Sequence, residues 1–158
     1  MLLLTLAAGC GFQLRGAQTL PFQTLYIPNA VGGIALDLKR NIEAGTNAKV
    51  VSDPKNADAV LVLANERRDK IILSLSGTGR VREFRLRYSV DFRVHDGHGR
   101  DYIPVNTVEL SRDVTYNDTD ILAKESEEQL LFNDMQADVV QQLLRRLAGA
   151  RPAGSGVS

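Results

Sequence analysis

Residues 84–95 read FRLRYSVDFRVH, and this stretch decides the fold. Apolar side chains occupy every second position from Phe84 to Val94, and polar side chains fill the positions between them. Successive side chains of a β-strand point to opposite faces of the sheet, so a strict period of two predicts a long strand with one buried face. The other face carries arginine and aspartate, so it must meet water or a polar partner.

Further strands are predicted on either side of this one. The apolar runs 59–63 and 71–75 predict one strand that continues past a bulge or bend, and residues 102–116 predict another. Residues 77–79 and 96–99 have the glycine-rich composition of hairpin turns. A short strand is expected at 24–27, and residues 49–51 fit a brief one.

Two segments have the periodicity of amphipathic helices. Ile34, Leu38 and Ile42 recur every four residues before Gly45, which predicts a helix that ends there. A second helical region, 117–148, has apolar residues at the same spacing: Leu131, Met135, Val139, Leu143 and Leu147. Within it, Ser126 and Gln129 have the spacing of a capping box, which favours a regular helix that begins only there.

This order of elements predicts an α+β fold. We expect a two-layer sandwich in which two helices pack on one face of a four-stranded, mostly antiparallel sheet. Residues 10–148 are expected to form this one domain. Residues 149–158 are rich in Gly, Pro and Ser and are predicted to be a disordered tail.

The charge pattern argues against nucleic acid and draws attention to arginine. Lys and Arg total 19, Asp and Glu also total 19, and nucleic-acid-binding domains are usually basic overall. Four arginines nevertheless crowd the start of the long strand, with Glu83 alone among them: Arg80, Arg82, Arg85 and Arg87. Cross-strand ion pairs would explain them. The alternative is binding of a phosphate-bearing anion such as a lipid head group.

The sequence shows no pattern that is typical of a catalytic or metal-binding site. His95 and His98 are too few for a closed metal site, and the Asp–Gly between them is typical of a tight turn. The glycines before Arg80 precede a strand, whereas a phosphate-binding loop needs a helix there. A nucleophile elbow of the G-x-S-x-G type is also missing. We therefore expect a protein that is not an enzyme and uses no metal or cofactor.

The single cysteine follows a short apolar run in the sequence MLLLTLAAGC. Small residues directly before Cys10 resemble the cleavage box of bacterial lipoprotein signals, so residues 1–9 are predicted to be a lipoprotein signal peptide. Its leucines lack a preceding Lys or Arg, so we expect the true start to lie upstream. Cys10 is then the lipid-bearing residue, modified with acyl chains such as palmitate. A small buried hydrophobic role for Cys10 is the alternative.

Residues 10–16 (CGFQLRG) resemble the mature N-terminus of the LptE family of lipopolysaccharide-assembly lipoproteins. The order of elements from Leu25 to Leu147 and the residues Leu122–Glu125 extend the likeness. The resemblance implies a lipoprotein of the outer membrane, on its periplasmic side, that complexes with the LptD β-barrel, supports its assembly and plugs it. It also implies binding of lipopolysaccharide on its way to the outer leaflet.

The same resemblance implies two basic positions that bind lipopolysaccharide. One is a lysine early in the last helix, which Lys124 matches, and the other lies in the loop between the second and third strands, where Arg80 is the first base. Together with the local charge, this predicts one basic end formed by Arg80, Arg82 and Lys124. A generic periplasm-facing lipoprotein that binds another envelope partner is the alternative function.

Overall fold

The computed structural model describes residues 18–115 and 121–151, with the backbone alone for 121–124. Seven elements follow in chain order: β1 (Thr24–Tyr26), α1 (Gly33–Gly45), β2 (Lys49–Val51), β3 (Ala59–Leu75), β4 (Val81–His95), β5 (Asp101–Thr115) and α2 (Ile121–Ala148). A single 3₁₀ turn, Pro54–Asn56, precedes β3. Within the described residues, neither helix has the length and apolar character needed to span a bilayer.

The strands form one mixed sheet in the order β2-β1-β3-β4-β5. Strand β1 pairs in parallel with β2 and β3, whereas β3, β4 and β5 are antiparallel neighbours. The α+β class is confirmed, but the sheet has five strands and not the four predicted. The additional strand is β2, because helix α1 returns the chain to the starting end of β1, where Lys49–Val51 pairs with all of β1.

One face of the sheet builds the core, as the alternating pattern predicts. All six apolar residues of β4 from Phe84 to Val94 are buried. Both helices cover this face. Helix α1 buries Ile34, Leu38 and Ile42. Helix α2 buries four of the five residues of its apolar stripe, Met135, Val139, Leu143 and Leu147, and leaves Leu131 half-buried. The predicted two-layer arrangement is therefore confirmed.

Helix α2 begins earlier than the capping-box spacing suggested. It starts at Ile121, so the expected start at Ser126 is wrong. Neither Gly nor Pro occurs between Ile121 and Ala148, and Ser is tolerated inside a helix, so nothing stops the helix at Ser126. After Ala148, the N–H of Ala150 bonds to Leu147 O and the residue is buried. Residues 152–158 of the predicted tail lie outside the described residues.

Two tight turns mark opposite ends of the sheet. The β3–β4 turn, Ser76–Arg80, closes with Ser76 N donating to Arg80 O over 2.7 Å, and Gly79 takes a φ of +80°. The β4–β5 turn, Asp96–Arg100, closes with Asp96 N donating to Arg100 O over 2.9 Å. We call these ends the hairpin end and the base. Fifteen residues of β4 separate them, which is about 50 Å at 3.4 Å per residue.

Candidate functional site

The sheet face away from the helices is covered by cross-strand ion pairs. Arg85 donates two hydrogen bonds to the carboxylate of Asp113, from Nε to Oδ1 over 2.6 Å and from Nη2 to Oδ2 over 2.8 Å. Arg87 Nη2 lies 2.9 Å from Asp69 Oδ2. Towards the base, Arg93 lies 2.8 Å from Asp101. Hydrogen bonding from Arg85 lowers the pKa of Asp113. The ion-pair explanation therefore holds for Arg85 and Arg87, and these two are not available to an external anion.

The hairpin end is different, because Arg82 is exposed there without such a partner. Among the described residues, the Arg82 side chain makes neither a hydrogen bond nor an ion pair. Arg80 lies at the turn itself, where its backbone N–H donates to Ser76 Oγ over 3.0 Å. The nearby acid, Glu83, accepts a hydrogen bond from Ser74 Oγ at 2.9 Å. Arg80 and Arg82 are thus brought together on either side of Val81.

The backbone of α2 places Lys124 at the same end. Lys70 of β3 binds Glu128 of α2, with 2.5 Å between Nζ and Oε2, and Lys124 lies one helical turn before Glu128. At the other end of α2, Arg146 Nη1 donates to Asn106 Oδ1 at 2.7 Å, nearer the base. The N-terminal end of α2 therefore points towards the hairpin end. That the three basic residues bind lipopolysaccharide stays a prediction, and Cys10 lies outside the described residues.

A cationic seam between β3 and α2 was not predicted from the sequence. Arg68 and Lys70 occupy positions of β3 paired with Tyr88 and Leu86, on the helix-covered face. The Arg68 guanidinium lies over the Tyr88 and Phe132 rings, at 5.5 and 5.7 Å from their centroids. The signal was the charged run 66–70, which interrupts the apolar runs of the strand. In this region α2 contacts β3 through cation–π interactions and hydrogen bonds instead of aliphatic packing.

This seam belongs to a hydrogen-bond chain that joins the sheet to both helices. Tyr88 Oη donates to Glu66 Oε1 over 2.7 Å, and Arg68 Nη2 donates to Gln136 Oε1 over 2.7 Å. Gln136 Nε2 in turn donates to Asp37 Oδ2 of α1 over 2.6 Å. Burial and the Glu66 hydrogen bond raise the pKa of Tyr88, which keeps its hydroxyl a donor. The chain fixes the helix layer against β3 and thereby the direction in which α2 points.

Solved structures of two bacterial lipoproteins share this architecture. A solution structure of an uncharacterized lipoprotein B from Nitrosomonas europaea superposes with a TM-score of 0.75 at 41% identity, covering 87% of this chain and 90% of that one. The crystal structure of the rare lipoprotein B from Shewanella oneidensis gives a TM-score of 0.69 at 25% identity, with 80% and 94% coverage. The fold is thus one that bacterial lipoproteins use.

Sequence comparisons assign the chain to one family of these lipoproteins. The family model described as LptE, lipopolysaccharide-assembly, matches residues 22–147. The LPS-assembly lipoprotein LptE of Yersinia enterocolitica is 31% identical and aligns with 93% of this chain and 74% of its own length. That of Pectobacterium atrosepticum is 28% identical, with 90% and 78% coverage. The chain belongs to the LptE family, and the resemblance seen in its sequence is confirmed.

Proposed function

We propose that this chain is an outer-membrane lipoprotein of lipopolysaccharide assembly that binds lipopolysaccharide at its hairpin end. We further propose that it complexes with the LptD β-barrel, plugs it and supports its assembly. Its relatives are named LPS-assembly lipoproteins, which supports the general role. The observation that carries the binding site is Arg82, whose exposed side chain has no partner within residues 18–115 and 125–151, beside Arg80 at the end to which the start of α2 points.

The chemistry of this end suits a phosphorylated lipid. Phosphate groups accept two parallel hydrogen bonds from one guanidinium, which makes arginine their preferred partner among basic side chains. Arg85 and Arg87 are already engaged by Asp113 and Asp69, so an incoming phosphate would have to displace a carboxylate there. At Arg82 the described part of the chain offers no carboxylate that a phosphate would have to displace. The site is therefore expected at the turn and not along the strand.

The separation of the two ends supports the outer-membrane arrangement. The described chain begins at the base, where Gln18 N donates to Gly45 O over 2.9 Å. Cys10 lies eight residues earlier, within about 27 Å of chain at full extension. The sheet extends about 50 Å from there, more than the roughly 30 Å of bilayer hydrocarbon. An anchor at the base thus leaves the basic end free to reach across the membrane inside an enclosing barrel.

The polar sheet face fits the same arrangement. Barrel interiors in the outer membrane are polar, because their strands alternate apolar side chains towards lipid with polar ones towards the lumen. The helix-free face of this sheet carries ion pairs in which each charge already has a partner, such as Arg85–Asp113 and Arg93–Asp101. Such a face can line a wet lumen without leaving buried charges unpaired.

Charge reversal tests the binding site. The variant Arg80→Glu, Arg82→Glu, Lys124→Glu is expected to weaken binding of purified lipopolysaccharide at least tenfold, with unchanged thermal unfolding. The matched control is Arg40→Glu, Lys55→Glu, Arg145→Glu, which makes the same change in net charge at exposed positions away from the hairpin end. The control is expected to stay within about twofold of wild type. Equal loss in both variants would mean that net charge and not a site governs binding.

Two measurements test the anchor and the partner. Mass spectrometry of the protein from native membranes is expected to find an acylated Cys10 at the N-terminus, and an unprocessed chain with a free thiol contradicts the anchor. Co-purification from those membranes is expected to yield LptD in one-to-one ratio. Recovery with a different envelope protein in that ratio supports the alternative, a lipoprotein that serves another partner.

A further inference from the structure

Four large aliphatic side chains are exposed together at the hairpin end. Ile71, Ile72, Leu73 and Leu75 of β3 are 39%, 58%, 43% and 57% exposed. We call them the aliphatic strip. Single exposed apolar residues are common, but a contiguous group of them marks a contact surface. The register places Ile72 opposite Phe84, on the helix-covered face, and Ile71 opposite Arg85, on the other face. The strip therefore exposes apolar side chains on both faces of the end of β3, unlike the one-sided pattern of an ordinary surface strand.

Among the described strands, only β4 neighbours β3 along the strip. Strand β1 pairs with β3 just at Ala59 and Val60, whereas β4 pairs with β3 as far as Leu75. The base half of β3 is consequently central in the sheet and the hairpin half is an edge. Aliphatic side chains on an edge have lost one flank of cover, which explains their exposure.

The aliphatic strip adjoins the basic end directly. Leu75 pairs with Val81 across the hairpin, and Arg80 and Arg82 are the neighbours of Val81 in the chain. Paired residues on adjacent strands have Cα atoms about 5 Å apart. The same end of the molecule therefore presents aliphatic carbon and guanidinium groups side by side. A ligand that matches both must carry an anionic group and a hydrocarbon portion on one molecule.

An added β-strand fits this edge poorly. The β3–β4 register shifts between Ile72 and Ser74 and again between Ser74 and Leu75, so the backbone of β3 is irregular within the strip. Five consecutive charged residues, 66–70, precede it on the same strand. Irregular backbone and charge are the usual devices by which edge strands avoid pairing with another chain. Hydrocarbon chains need no hydrogen-bond register and are not hindered by either feature.

We infer that the aliphatic strip binds the acyl chains of the same lipid whose phosphates the basic end is proposed to hold. The inference rests on the proposed lipopolysaccharide binding and assigns the hydrocarbon part of that ligand to a surface. The phosphates lie at Arg80 and Arg82, and the acyl chains extend along β3 over Ile72 and Leu75. Binding of one lipid monomer at this end shields part of its hydrocarbon from water during transfer.

The test compares intact lipopolysaccharide with its fully deacylated form, which keeps the phosphates. The strip variant is Ile71→Thr, Ile72→Thr, Leu75→Thr, because the β-branched side chain of threonine is favoured in strands. Burial of apolar side chains favours binding. Each loss of roughly 1.4 kcal/mol in binding free energy weakens the affinity tenfold. We expect the strip variant to bind intact lipopolysaccharide about tenfold more weakly and the deacylated form as wild type does. The control Val105→Thr, 71% exposed on β5 towards the base, is expected to change neither affinity.

The outcomes separate this inference from the proposed function. Weaker binding of the intact form alone supports the strip, and unchanged binding of both forms by the strip variant overturns it. If charge reversal at the basic end leaves both affinities unchanged, the proposed phosphate site itself has failed. Loss of LptD co-purification by the strip variant, with both lipid affinities intact, assigns the strip to a protein contact and likewise overturns the inference.

A fluorescent reporter gives an independent readout, because the chain contains no tryptophan. In Leu73→Trp, intact lipopolysaccharide is expected to shift the emission to shorter wavelength, while the deacylated form leaves it unchanged. Val105→Trp at the base is expected to respond to neither. A shift at both positions, or none at Leu73→Trp at saturating lipopolysaccharide, contradicts acyl-chain contact at the strip.

Discussion

Replacing Asp58 with alanine is expected to loosen the base of the sheet, where β1 meets the start of β3. Asp58 Oδ2 accepts hydrogen bonds from the backbone N–H groups of Gln23 and Thr24, at 3.0 and 2.9 Å. In return, Asp58 N donates to Thr24 Oγ1 at 2.9 Å and lies 3.1 Å from Thr24 O. Asp58 thus ties together two segments that are 34 residues apart in the chain.

The magnitude follows from the two carboxylate hydrogen bonds that alanine removes. Each is worth about 0.5–1.5 kcal/mol net, and the exposed site allows water to replace the lost acceptor, which favours the lower half of that range. Asp58→Ala is therefore expected to reduce the free energy of unfolding by about 1–2 kcal/mol. For a domain of this size, that lowers Tm by about 5 °C.

The effect depends on pH with a defined sign. The N–H of Thr24 is the main cause that lowers the pKa of Asp58 below its ordinary value. The unfolded chain has a pKa of about 3.9 for this group. Because the folded pKa is the lower one, the stabilisation is complete above the unfolded pKa and is lost as the pH falls through the folded pKa. The difference between wild type and Asp58→Ala should be constant from pH 5 to 8 and shrink below about pH 4.

Urea unfolding at several pH values measures this difference. The control is Asp53→Ala in the adjoining turn, where Asp53 Oδ1 accepts one local hydrogen bond from Lys55 N at 2.9 Å; it is expected to cost about half as much or less. Equal stability of Asp58→Ala and wild type at pH 7 refutes the reasoning. So does a difference that persists undiminished at pH 2.5.

Three further substitutions test the packing. Leu143→Ala, at a fully buried position of α2, is expected to cost about 3 kcal/mol by cavity formation, measured by urea unfolding. Arg68→Lys is expected to cost about 1 kcal/mol, because lysine lacks the planar guanidinium stacked on Tyr88 and Phe132; a Tm equal to wild type contradicts this. Gly79→Ala places a Cβ at a φ of +80° and is expected to cost about 1 kcal/mol, with faster hydrogen exchange confined to the hairpin end.

The alternation from Phe84 to Val94 sufficed to predict the long strand β4 and its buried face. Such a pattern is local, because each side chain's direction follows from the strand's own geometry. The parallel pairing of β2 with β1 was harder to predict. It depends on where α1 delivers the chain, and three residues, Lys49–Val51, carry too little periodicity to show it.

The charged residues show the same division between local and non-local information. The crowding of arginines before Tyr88 was visible in the sequence, but which of them are paired was not. Arg85 meets Asp113, 28 residues away in the chain, and Arg87 meets Asp69, 18 residues away. Those pairs depend on the register between neighbouring strands, which cannot be read from the sequence. Only with the register known does Arg82 separate from its neighbours as the arginine without a carboxylate partner among the described residues.

Lipid binding at one end of the long sheet is tested most directly by photo-crosslinking from its two turns. A photoreactive amino acid at Thr78, in the β3–β4 turn, is compared with one at His98, in the β4–β5 turn; both positions are exposed. In living cells we expect a lipopolysaccharide adduct from Thr78 and none from His98. Adducts from His98 alone, or equal adducts from both turns, would contradict it.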